Sequence, residues 1–146
     1  MKPKVYYFSA TGNSLYVARQ IVKNINGELI PIASQMNKNN IGINTDIVGI
    51  VFPVYYNRIP IIIEKFIKLL MQIEGKYLFA VCTYGGGPGE SLQMIQQILI
   101  ERGGKLSAAF GVHMNCAQLS RQFYRKFKVY SSLLFYSTLP TAAGSP

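Results

Sequence analysis

Short β-branched and aromatic runs alternate with longer stretches of helical periodicity, and this alternation constrains the fold more than any other feature of the chain. Lys4-Val-Tyr-Tyr-Phe8 reads as a buried strand. A turn-rich stretch, Ser9 to Asn13, follows it. Leu15, Ala18, Ile21, Val22 and Ile25 then fall on one face of a helix, for which Asn26-Gly27 supplies the stop. Glu28-Leu-Ile-Pro-Ile32 has the character of an edge strand, because its proline cannot donate to a sheet ladder. Asn37 to Asn44 reads as a polar connection. Asp46-Ile-Val-Gly-Ile-Val-Phe52 is almost continuously apolar, as a central parallel strand covered on both faces must be. Pro53 ends that strand, a loop runs to Ile59, and Pro60 suits the first position of a second helix. Ile62, Ile63, Phe66, Ile67 and Leu70 form its buried side. Lys76 to Cys82 is the next strand. Gly85-Gly-Gly-Pro-Gly89 leads into a helix with Leu92, Ile95, Ile98 and Leu99 inward, Gly103-Gly104 ends it, and Leu106 to Val112 makes a fifth strand.

The connections are long enough for crossovers and none carries a hairpin signal. The order therefore predicts an α/β fold: a doubly wound three-layer α/β/α sandwich on a five-stranded parallel sheet. Ligands of such folds bind beyond the C-terminal ends of the strands. That rule selects three loops, residues 9–14, 53–59 and 83–89, before any motif is considered.

A chain of 146 residues has room for one domain, 1–146, with a single sizeable core. No apolar run approaches the length that crosses a bilayer, so no transmembrane segment is expected. The N-terminus, Met1-Lys-Pro-Lys-Val5, lacks the apolar stretch and cleavage site of a secretory signal, and a cytoplasmic location is the expectation. Cys82 and Cys116 have no CxxC spacing and read as reduced thiols, not as a metal or iron–sulfur site. Fifteen Lys and Arg face six Asp and Glu, a formal charge of +9. Such an excess raises the question of nucleic acid. Four of the cations (Arg121, Arg125, Lys126, Lys128) stand in residues 117–146, which hold no acid, and the others are scattered singly. A mildly basic surface with a basic tail, without a nucleic-acid partner, is the preferred reading.

In Ser9-Ala10-Thr11-Gly12-Asn13-Ser14, three hydroxyls and a carboxamide alternate with small residues. Gly12 lets the backbone turn tightly, so that successive N–H groups face one concavity. The helix N-terminus adds unpaired N–H groups and the positive end of its dipole. Such a nest suits a phosphate monoester without a lysine. A nucleoside-triphosphate loop would require GxxxxGK[ST] and a dinucleotide fingerprint GxGxxG; neither is present. An ordinary helix cap accounts for one such polar residue, not for four in six positions.

The pattern Ser-x-Thr-Gly-Asn-Ser after a first strand resembles the FMN-phosphate loop of flavodoxins. The resemblance is closest to the flavodoxin half of bacterial ferredoxin–flavodoxin fusion proteins. Three segments carry it: Tyr7 to Ser14, Val51-Phe-Pro-Val-Tyr-Tyr56 with Ile59-Pro60, and Thr83-Tyr-Gly-Gly-Gly-Pro-Gly89. It runs from about residue 4 to residue 112. The resemblance implies a flavodoxin-like fold and FMN as cofactor, with Pro53, Val54, Tyr55, Tyr56 and Asn57 on one side of the isoalloxazine and Thr83, Tyr84, Gly85, Gly86 and Gly87 on the other. The residue types suit that role. Tyr55, Tyr56 and Tyr84 offer aromatic surface to a planar ring, although packing alone also explains each of them. The glycines admit backbone groups close to the ring edge. Arg58 could meet an anionic partner or simply be solvated, and His113 receives no role.

The sequence also departs from that pattern. It lacks the CxxCxxCxxxC run of the iron–sulfur half, so electrons would pass to or from a separate partner such as a ferredoxin or a flavin reductase. It is basic where flavodoxins are typically acidic, which predicts a less negative potential for forming the reduced, anionic flavin. Residues 117–146 do not match the family. Leu119, Phe123, Phe127 and Tyr130 would lie on one side of a last helix, packed on the sheet or else on a membrane surface. Residues 131–146 look like an irregular tail. The leading expectation is an FMN-binding electron carrier with no catalytic residue of its own. The alternative is an FMN-dependent reductase of a quinone or similar acceptor that uses NAD(P)H. A cofactor-free scaffold ranks below both.

Overall fold

The structure, a computed structural model, describes residues 1–114. Cys116, the amphipathic stretch around Leu119 to Tyr130 and the tail at 131–146 lie outside the described residues. Along the chain, β1 (Lys4–Tyr7) leads to α1 (Asn13–Ile25) and β2 (Glu28–Pro31). A 3₁₀ turn at Ile32–Gln35 and the short strand β3 (Ile41–Gly42) follow. Then come β4 (Ile47–Pro53), α2 (Ile61–Leu69), β5 (Leu70–Met71), β6 (Tyr77–Tyr84), α3 (Ser91–Glu101) and β7 (Leu106–His113). Five strands form one sheet in the order β2-β1-β4-β6-β7, and every neighbouring pair is parallel. The order reverses at β1, so the first crossover runs one way and the later ones the other. This is the doubly wound arrangement that the alternation of elements predicts.

Two cores follow from the pleat. Tyr6, Val48, Ile50, Phe52, Leu78, Ala80 and Cys82 face α2, α3 and the 3₁₀ turn, where Ile63, Phe66, Ile67, Leu92, Ile95 and Leu99 meet them. Val5, Val51, Phe79 and Val81 face the other way, towards Val17 and Ala18 of α1. Gly49 stands opposite Phe79 on the neighbouring strand. A Cβ built on it would lie 2.2 Å from Phe79 Cζ, so the missing side chain is what lets that ring lie across β4.

The structure differs from the sequence reading in several places. Ile25 is 37 % exposed and does not join the buried stripe. That stripe runs through Ser14, Val17 and Ala18, with Ile21 and Val22 packed beside them. By its last turn α1 has reached the N-terminal edge of the sheet, and Ile25 folds back over Gly27. Leu70 is buried, but as the first residue of β5, paired with Ile41 of β3 in a separate two-stranded sheet. The segment read as a polar connection therefore buries Ile41 and Ile43. Pro60 stands one place before the first helical residue. Finally, β6 continues past Cys82 to Tyr84, so that Thr83 and Tyr84 are strand residues at the very edge of the sheet.

Candidate functional site

The chain leaves β1 at Phe8, whose N–H donates to the Val51 carbonyl at 3.0 Å. Ser9 Oγ then accepts the Gly12 N–H at 3.0 Å and closes the loop on itself. Gly12 has φ +94°, a left-handed conformation that a Cβ would penalise. Its carbonyl accepts the Tyr16 N–H at 2.9 Å, which opens α1. No side chain caps that helix. Among the described residues the first-turn N–H groups at Asn13, Ser14 and Leu15 thus have neither an intrahelical nor a capping partner, and the dipole adds its positive end there. Ala10 and Thr11 are exposed beside them and Asn13 is half-buried.

Ser14 does something different. Its hydroxyl is buried and lies 2.8 Å from the buried Thr83 hydroxyl at the end of β6. Thr83 faces α1 because the strand alternates, and its carbonyl accepts the Val54 N–H at 2.9 Å. Residues of all three ligand-edge segments therefore meet at Thr83.

Pro53 ends β4 opposite Thr83. Tyr55 and Arg58 exchange two backbone hydrogen bonds, each 2.9 Å, around a two-residue turn. Tyr56 and Asn57 at its tip have φ +49° and +63°. Two successive left-handed residues define a type I′ turn, which normally selects Asn or Gly. Tyr56 is 98 % exposed at that tip, whereas Tyr55 is 38 % exposed and meets Phe8 edge to face at 6.4 Å. The third segment docks on this turn. The Glu90 N–H donates to the Asn57 carbonyl at 2.8 Å. Gly89, at φ +54°, approaches so closely that a Cβ there would fall 2.4 Å from Asn57 Cβ.

Tyr84 packs along β7. A Cβ on Gly111 would touch its ring at 2.8 Å, and the His113 ring lies 5.7 Å away. His113 Nε2 is 2.7 Å from the Gly85 carbonyl. A carbonyl only accepts, so Nε2–H is the donor in this contact. Cβ atoms built on Gly86 and Gly87 would meet nothing within 4 Å. Among the described residues nothing therefore covers the backbone of that loop at these two positions.

All sixteen residues selected from the sequence (9–14, 53–57 and 83–87) lie at or just beyond the C-terminal ends of β1, β4 and β6. Sequence reasoning missed Phe8, Gly89 and the role of His113. Phe8 was absorbed into the strand, and Gly89 was hidden in a run of similar residues. Only spatial pairing relates His113 to Gly85. Arg58 and Glu90 are the only formal charges in residues 8–14, 53–60 and 83–91, so an anion here would be held by hydroxyls and N–H dipoles. Burial pushes the Cys82 thiol up to about 11, against a smaller opposing hydrogen bond from Ser91, and makes it inert. Two surface cavities of about 430 and 300 Å³ lie at the opposite edge, near Lys76, Tyr77 and Lys105 and near Lys4, Glu28 and Lys38. They are grooves at strand starts, not at the ligand edge of a doubly wound sheet.

No protein-family model matches this chain, and no curated protein matches it. Solved structures do. An archaeal flavodoxin superposes with a TM-score of 0.62 at 19 % identity, over 79 % of this chain and 85 % of its own. A protein described as a flavoprotein, from Bacteroides uniformis, gives 0.60 at 17 % identity over 86 % and 99 %. An NADH:FMN oxidoreductase gives 0.63 at 15 % identity over 77 % and 76 %. At such identities the likeness establishes the architecture, a flavodoxin-like α/β fold.

Proposed function

We propose that this flavodoxin-like chain binds FMN at the C-terminal edge of its sheet and carries electrons for a separate redox partner, a ferredoxin or a flavin reductase, in the cytoplasm. The observation that carries this reading is the first turn of α1, uncapped among the described residues, behind the left-handed Gly12, in a segment that also holds Ser9, Thr11, Asn13 and Ser14. FMN, when bound, supplies reversible one- and two-electron chemistry. The chain's own residues hold and orient it. The N–H groups at 13–15 and the side chains of Thr11 and Asn13 would take the phosphate. The turn at Pro53, Val54, Tyr55, Tyr56 and Asn57 would flank the ring on one side, with Phe8 bracing Tyr55. The segment Thr83, Tyr84, Gly85, Gly86 and Gly87 would flank the other, with His113 holding the Gly85 carbonyl.

A charge of +9 favours an acidic partner and eases the placing of negative charge on a reduced flavin. Among the described residues no three His, Cys, Asp or Glu could hold a metal ion, and none of the site residues forms a nucleophile–base pair. The exposed Arg58 beside Tyr55 supports a second reading, direct reduction of a small acceptor with NAD(P)H. Incubating the FMN-loaded protein with NADH or NADPH and a quinone separates the two. A carrier leaves the nicotinamide unoxidised until a reductase is added, whereas a reductase turns it over alone.

A further inference from the structure

The Ser14–Thr83 hydroxyl pair is the one polar contact between side chains of the first and third ligand-edge segments among the described residues. Ser14 is 1 % and Thr83 3 % exposed, so water does not compete for either hydroxyl. Two hydroxyls at 2.8 Å share a single hydrogen bond. One proton of the pair is left over, and no second acceptor for it occurs among the described residues. Ser14 stands in the first turn of α1, among N–H groups that have no partner among the described residues. Thr83 sits on the neighbouring strand end and holds the Val54 N–H through its own carbonyl.

We propose that Thr83 is a positioning residue for a phosphate monoester: its hydroxyl donates to Ser14 Oγ and thereby turns the Ser14 proton towards the anion seated on α1. The inference rests on the FMN reading above and adds a mechanism to it. A chain of two hydrogen bonds ending on a charge is polarised along its length, so the Thr83 hydroxyl strengthens a contact that it does not itself make. The same residue clamps the 53–58 turn and begins the 83–87 segment. Seating of the phosphate is therefore tied to the place where the ring would lie. Thr83, which begins the segment proposed to flank the ring, acts in addition on the phosphate through Ser14.

The test compares FMN with riboflavin, which lacks the phosphate, on the full chain and its variants. Thr83→Val removes the hydroxyl at nearly constant shape. Its dissociation constant for FMN is expected to rise about tenfold, the loss of roughly one hydrogen bond, while that for riboflavin stays within about twofold. Thr83→Ser keeps the hydroxyl and should restore most of the FMN affinity. Ser14→Ala should show the same selective loss, and the double variant little more than either single one, because the two act as a unit. Equal weakening of FMN and riboflavin in Thr83→Val, or no weakening of FMN, overturns the proposal. Failure of the unsubstituted protein to bind FMN, or to prefer it over riboflavin, marks instead the failure of the FMN reading on which the proposal stands.

Discussion

Gly12 and Tyr56 both occupy left-handed backbone, and the contrast between them is informative. At Gly12 a Cβ would meet no atom within 4 Å, so the cost of Gly12→Ala is conformational alone, roughly 1–2 kcal/mol. That substitution should lower thermal stability modestly and weaken FMN binding, because relaxation of the loop would move the N–H groups off their concavity. Tyr56 is a bulky residue at φ +49° and 98 % exposed, gaining nothing from burial. Strain held at a ligand edge with no packing to justify it is a sign of function. Tyr56→Asn should therefore raise the unfolding free energy by about 0.5–1 kcal/mol and at the same time weaken flavin binding or partner reduction. Denaturant melts beside flavin titrations check both halves; a variant unchanged in both would remove Tyr56 from the site. Cys82 supplies a pH dependence. Its thiol, pushed up to about 11 in the fold, ionises first in the unfolded chain, and the buried Tyr6 phenol, also raised, acts in the same direction. The stability from keeping these groups neutral is whole below the ordinary thiol value of 9.0 and is lost as pH rises towards 11. Melting temperatures should hold between about pH 6 and 8 and fall above about 9, less steeply in Cys82→Ala.

Among the elements, β4 and β6 were the most legible, because strands covered on both faces must be apolar throughout. The loops they feed followed from the fold before any motif was weighed. What stayed hidden depended on contacts between distant segments. The two-residue β3–β5 sheet leaves no periodic trace, although Ile41 and Ile43 are both buried. Ser14 reads as one more phosphate hydroxyl, and only the structure shows its pairing with Thr83 at 2.8 Å. Gly49, which looks like a flaw in an apolar strand, is a fitted gap for the Phe79 ring. Gly49→Ala should destabilise the fold by about 1–3 kcal/mol through overpacking, and pairing it with Phe79→Leu should recover part of the loss in an equilibrium urea melt. Strict additivity of the two changes would show that they do not share that space.

For the molecule as a whole, the sheet order gathers three loops with almost no formal charge onto one edge, in a chain whose net charge is +9. With Arg58 the one Lys or Arg in those loops, the whole-molecule field would then set most of the electrostatic cost of reducing a flavin held there. A potentiometric titration should place the low-potential couple less negative than in acidic flavodoxins, and the gap should narrow as salt screens the charge. Association with an acidic partner should slow with ionic strength for the same reason. The central claim, that the edge around Gly12 holds FMN, is tested most directly by the absorbance spectrum of the purified chain after adding FMN and removing the excess. The account expects a stoichiometric flavin spectrum shifted from that of free FMN, absent from the Thr11→Val/Asn13→Ala variant although its far-ultraviolet circular dichroism is unchanged. A colourless protein, or a double variant that retains the flavin undiminished, would contradict it.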